Sequence, residues 1–148
     1  MAGDAADLQA IKDIIDRQFA SMSWSAGSSP DMATFRGDFL PDAMLYPAAR
    51  PASGKSLDEF SVRMSELAQK TLTSFHETML GGKILIFGNV AVAAVACENT
   101  ENGADVNRNV EMLLLVKTDG QWKIVAQAWD RESESLRIPD DLLTQSPI

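Results

Sequence analysis

The sequence predicts an α+β fold in which helices precede a curved antiparallel sheet. Three observations carry this. Apolar residues recur at steps of three and four early in the chain, the period changes after Ser74, and two tight turn signals, Gly88-Asn89 and Asp119-Gly120, break residues 83–131 into successive strands. At 148 residues the chain is expected to form a single domain over 1–148, large enough to bury a core without staples.

Leu8, Ile11, Ile14, Ile15, Phe19 and Met22 lie on one face of a helix over about 4–22, with Asp4 and Asp7 at its positive end. Ser23 to Pro30 reads as a loop anchored by Trp24, and a short helix over 31–39 buries Met32, Phe35 and Phe39 until Pro41 stops it. A short strand, Asp-Ala-Met-Leu-Tyr at 42–46, closes at Pro47. Ser56 and Glu59 have capping-box spacing, which starts a third helix over 57–70.

The sheet follows over about 75–131 as a four-stranded meander: 76–87 with a bend at Gly81-Gly82, then 90–100, 106–118 and 121–131. Residues 132–148, with Pro139 and Pro147, read as an irregular surface tail. Val90 to Cys97 and Met112 to Val116 are apolar at both parities, so both faces of the sheet should be covered. Three helices cover one face. The other is expected to meet a second copy of the chain.

A net charge of -8 repels phosphate backbones and anionic membranes, and no apolar run reaches the ~20 residues of a membrane helix. Neither nucleic acid nor membrane is an expected partner. Cys97 is the only cysteine, and the N-terminus has no basic start or apolar run of a secretory signal, so a cytoplasmic protein is the expectation.

Helices before a long meander, with Asp-Ala-Met-Leu-Tyr-Pro at 42–47 between them and Asp-Gly-Gln-Trp-Lys-Ile at 119–124 opening the last strand, resemble the nuclear-transport-factor-2-like superfamily, also called SnoaL-like or cystatin-like. Phe75-His76-Glu77, Phe87-Gly88-Asn89-Val90-Ala91 and Trp129-Asp130 with Ile138-Pro139 look like one of its subgroups. The resemblance, which extends to ketosteroid isomerases, implies a cone. Helices close over the concave face of the sheet and leave a pocket, and the convex face dimerises. Members of this superfamily share a fold while differing in chemistry, so function must come from the pocket.

Pairing the last two strands regularly across Asp119-Gly120 places Glu111 opposite Ala128 and Asn109 opposite Asp130. By resemblance the parity of Trp122 and Ile124 is the pocket side, so Asn109, Glu111 and Asp130 converge there. Carboxyls in a partly apolar cavity are the raw material of acid–base work, although pairing with Arg108 or Arg131 would make them structural. His76 is the only histidine and the only side chain with an ordinary pKa near neutrality; it is either a pocket base or an edge residue. Catalysis would fall to His76, Asp130 and Glu111, and ligand binding to Tyr46, Asn109 and Trp122. In ketosteroid isomerases the residue before the matching proline is the proton-shuttling aspartate. Tyr46 stands there, so that mechanism is in doubt, and Tyr46 could only donate a hydrogen bond.

One His and one Cys among scattered carboxylates show no metal-ligand spacing, and no cofactor is expected. Met112, Leu114, Gln127 and Trp129 are assigned to the dimer face. Three functions stay open. The first is a homodimer whose apolar pocket binds a small, mainly hydrophobic molecule. The second is a cofactor-independent isomerase, dehydratase, cyclase or hydrolase using His76 with Asp130 or Glu111. The third is an association module with a collapsed pocket.

Overall fold

The computed structural model describes residues 2–143. Helix α1 (Ala2–Met22) is followed by α2 (Met32–Gly37), strands β1 (Phe39–Tyr46) and β2 (Lys55–Ser56), and helix α3 (Leu57–Lys70). Strands β3 (Phe75–Phe87), β4 (Val90–Glu101), β5 (Asp105–Thr118) and β6 (Gln121–Arg131) come next, then a short α4 (Asp140–Leu143). All six strands form one sheet in the order β2-β1-β6-β5-β4-β3. The meander is antiparallel, and the short strand β1 joins its β6 edge in parallel. Phe39 belongs to this strand rather than to the helix before it.

Local signals act where the sequence places them. Asp31 accepts from the Thr34 backbone at the start of α2, and Ser56 with Glu59 forms the reciprocal capping box of α3. Asp119 and Gly120 both take positive φ, the backbone of a tight two-residue hairpin turn.

Helices α1 and α3 lie over one face of the sheet. Beneath them the core gathers Ile11, Ile15 and Phe19 of α1, Phe60 and Met64 of α3, and Val95, Leu113, Leu115 and Ile124 of the strands. Burying that many large aliphatic and aromatic side chains, at about 1.5–3 kcal/mol each, is what holds helices to sheet.

Two corrections concern parity and tail. In β6, Leu115 pairs with Ile124 but Leu114 pairs with Ala126, so Val125 is an extra, bulged residue. One extra residue turns every later side chain to the other face. Trp122 and Ile124 face the helices as expected. Beyond the bulge Gln127 and Trp129 also face the helices, Glu111 pairs with Trp129, and Asn109 pairs with Arg131. Gln127, only 2% exposed, and Trp129 are therefore not part of the outer surface assigned to them, whereas Met112 and Leu114 are.

The tail is not wholly irregular either. Ile138 and Leu142 are buried on Ala96, with Ala94 and Val110 beside it, so α4 covers one end of the sheet's outer face. Lys83 and Asp141 form an ion pair there. Residues 144–148 of the expected tail lie outside the described residues.

Candidate functional site

A cavity of about 550 Å³ opens between the helices and the inner face of the sheet. Its walls are apolar: Met22 from α1, Phe35 from α2, Leu45 from β1, Phe60 and Met64 from α3, and Phe75 from β3. Phe60 stacks on Phe35 at 5.5 Å between ring centroids and meets Trp129 edge-on at 5.9 Å. These contacts fix the aromatic wall rather than leaving it free to collapse.

The sheet side of the cavity is polar. Strand alternation brings Glu77 of β3, Cys97 and Asn99 of β4, Asn109 and Glu111 of β5 and Gln127 of β6 onto one face, because Glu77 pairs with Asn99 and Cys97 with Asn109. Gln127 Nε2 donates to Glu111 Oε1 at 2.8 Å. Gln18 of α1 and Gln127 exchange hydrogen bonds at 2.8 and 2.9 Å. This chain orients the Glu111 carboxyl and leaves its Oε2 toward Cys97 Sγ, which lies 3.8 Å away. Asn109 Nδ2 donates to Asn107 Oδ1, and Asn107 in turn to Glu101, at 3.0 Å each, toward the mouth.

Burial dominates the electrostatics. It pushes the Glu111 carboxyl up to about 7, with the Gln127 hydrogen bond opposing the rise. Glu77 is pushed well above the usual carboxylate range, first by desolvation and then by the charge of Glu111. The same desolvation, with Glu111 and Glu77 nearby, pushes the Cys97 thiol up, so it stays a protonated, unreactive group. Donor atoms of Glu77, Cys97 and Glu111 lie within 4.8 Å of one another, close enough for a cation to replace protons between them.

The residues nominated from sequence do not gather in one place. Glu111 and Asn109 are buried on the cavity wall. Asp130 lies at the cavity's rim with its carboxylate exposed, 3.9 Å from Arg50. His76 is exposed, on the face opposite Phe75 and Glu77. Trp122 is buried well away from the cavity, with its indole N–H bonded to Asp7 at 3.0 Å. Tyr46 lines a trough on the outer face of the sheet, with Met112 and Leu114.

Glu77, Asn99, Gln127 and Gln18 were not nominated, and two of them carry a sequence signal. Gln18 stands at i+4 from Ile14 and i+7 from Ile11, a polar residue on the apolar stripe of α1. Trp122 and Trp129 are seven apart, an odd spacing that only a bulge can bring to one face; accepting both as buried would have turned Gln127 inward.

A sequence model of a family described as putative lumazine-binding matches residues 6–130. The chain belongs to this family. Among solved structures it is similar to a putative scytalone dehydratase from Novosphingobium aromaticivorans, at 12% identity and a TM-score of 0.73, covering all of this chain and 97% of the other. It is also similar to a protein with a cystatin-like fold from Nostoc punctiforme, at 13% identity and a TM-score of 0.69, covering 88% of this chain and 94% of that one. A third is an NTF2-like protein from Shewanella baltica, at 15% identity and a TM-score of 0.63, covering 88% and 97%. At these identities the likeness concerns the fold, which is nuclear-transport-factor-2-like, as the sequence resemblance implies. No curated protein matches the chain. Among the described residues no helix is long and apolar enough to cross a membrane.

Proposed function

We propose that this member of the putative lumazine-binding family binds one small, mainly hydrophobic molecule in the cavity beneath its helices. The observation that carries the proposal is the combination of about 550 Å³ of space, aromatic and aliphatic walls, and a polar wall whose groups are buried rather than solvated. That is the composition of a ligand site, in which apolar surface supplies affinity and a few polar groups set orientation. The family description, which names lumazine binding, supports small-ligand binding in the same sense. A collapsed association module has no use for such a space. The test is calorimetric titration with bicyclic aromatic probes in wild type and in Met64→Trp, which fills the cavity. Binding lost in a folded M64W variant is the expected result; binding unaffected by M64W would place the site elsewhere.

A proton-transfer enzyme is the second reading, and the Glu77–Glu111 pair favours it. Two buried carboxyls whose proton affinities are raised and linked can hold and pass a proton near neutrality. Neither His76 nor the exposed Asp130 carboxylate faces this pair, so the acid–base role moves to Glu77 and Glu111. Exchange of solvent deuterium into a small cyclic ketone, catalysed by wild type and absent in Glu111→Gln, is the expected signature. Equal exchange in both proteins would dismiss it.

The homodimer is part of the same proposal. Leu85, Val92, Leu114 and Ala126 pair in one row across four strands of the outer face, with Phe87, 84% exposed, at its edge. Met112 and Leu114 remain its centre, at 54% and 44% exposed. An exposed apolar row of this kind is suited to an identical row related by a two-fold axis. Sedimentation should show a dimer at micromolar concentration that Leu114→Glu converts to a monomer; a wild-type monomer would overturn this.

A further inference from the structure

Glu77, Cys97 and Glu111 belong to three different strands, and no spacing in the sequence connects them. Strand pairing does. Glu77 stands opposite Asn99 of β4, Cys97 precedes Asn99 by two residues on the same face, and Val95 of that strand pairs with Glu111. A carboxyl oxygen from each glutamate and the Cys97 sulfur lie within 4.8 Å of one another, and Cys97 Sγ is 3.8 Å from Glu111 Oε2. Around a tetrahedral zinc, with Zn–S of about 2.3 Å and Zn–O of about 2.0 Å, donor atoms stand roughly 3.3–3.6 Å apart. Small turns of the two glutamate side chains close the triangle to that size.

A fourth group points to a ligand independently. Asn99 is only 9% exposed, yet its side-chain amide makes no hydrogen bond among the described residues, and its Oδ1 is buried. A buried polar group left without a partner costs stability. Asn99 lines the cavity beside Glu77 across the strand and Cys97 along it, so the unused amide adjoins the cluster. Nothing holds that amide in one orientation, and half a turn exchanges its oxygen and nitrogen; a cation can draw the oxygen toward itself. Neither glutamate has a lysine, arginine or histidine partner among the described residues, and His76 is on the opposite face.

We infer that Glu77, Cys97, Glu111 and Asn99 form a site for one divalent cation of the zinc type on the sheet wall of the cavity. One sulfur among oxygens is a donor set for zinc or cobalt; magnesium and calcium take oxygen alone. As the metal–sulfur bond forms, the Cys97 proton leaves to solvent, and the cation stands in for the carboxyl protons. An orienting shell is already built. Gln127, paired with Gln18, donates to Glu111 Oε1 and leaves Oε2 on the Cys97 side. The cavity supplies the path of entry. This site stands apart from the ligand-pocket reading, and its metal-bound state excludes the proton-transfer reading, because the same carboxyls cannot hold a proton and a cation together.

The test is titration of chelator-stripped, full-length protein with Co²⁺, followed by absorption. One equivalent should give the intense visible bands of tetrahedral cobalt and a near-ultraviolet sulfur-to-cobalt charge-transfer band. One equivalent of Zn²⁺ should abolish both, and Mg²⁺ at the same concentration should not. Cys97→Ser should lose the charge-transfer band. Glu77→Gln, Glu111→Gln and Asn99→Leu should each weaken cobalt binding by about tenfold or more, or about 1.4 kcal/mol. Absence of the charge-transfer band in wild type, or its survival in C97S, would overturn the inference. A pale six-coordinate spectrum, or displacement by Mg²⁺, would assign the cation to surface carboxylates and overturn it equally. The wild-type spectra decide the matter even where a variant does not fold.

Discussion

Replacing Glu111 by glutamine should make the protein more stable at alkaline pH, with little effect at pH 5. The carboxyl is raised from an ordinary value of 4.5 to about 7 in the folded protein. The folded state therefore binds this proton more tightly than the unfolded one, so the Glu111 contribution to stability falls as pH rises from about 4.5 to 7 and is level above that, while Glu77, also held high by burial and by the Glu111 charge, adds a fall of the same sign. A rise of about 2.5 pKa units corresponds to on the order of 3 kcal/mol. Glutamine keeps the shape, still accepts the Gln127 hydrogen bond, and carries no charge to desolvate. At pH 8.5 the variant should gain on the order of 3 kcal/mol, or roughly 10 °C in Tm for a chain of this size. The carboxylates held low, Asp7, Asp31, Glu59 and Asp141, do not obscure this. Their contribution is complete above the ordinary carboxylate range and is lost only as pH falls through their depressed values, below the window used. Urea unfolding of both proteins at pH 5 and 8.5 measures the effect. A flat wild-type profile, or a variant no more stable at pH 8.5, would refute the argument from burial.

Three further outcomes follow from particular contacts. Cys97 is fully buried with its thiol pushed up, so it should resist a thiol reagent at pH 8 in the folded protein and react on unfolding; rapid labelling of the native state would contradict the burial. Gly82→Ala would place a Cβ 2.7 Å from the Ala94 carbonyl oxygen in the neighbouring strand, and backbone cannot step aside as a side chain can. A loss of roughly 1–3 kcal/mol in denaturant unfolding is expected, and no loss would mean that the strand can shift. Ser56→Ala removes one half of the α3 capping box and should cost about 1 kcal/mol in the same assay.

The succession of elements is legible in the sequence alone, because that information is local. The Ser56–Glu59 box, the Asp119-Gly120 turn and the three-four spacing from Leu8 to Met22 each act within a few residues. Strand parity made the sheet two-sided and apolar on both faces and grouped Glu111 and Asn109 with Trp122 and Ile124; the family resemblance named that side the inner one. What the tertiary structure decided begins at Val125. One bulged residue turned Gln127 and Trp129 inward and Asp130 away, and so changed which residues make up the site. The same holds for Glu77 and Glu111, which are far apart in sequence and distant from Gln18 of the first helix; only the pairing of β3, β4 and β5 and the packing of α1 on them bring these residues into one cavity. Their raised proton affinity arises from that shared burial, a property of the assembled fold that no local pattern of residues contains.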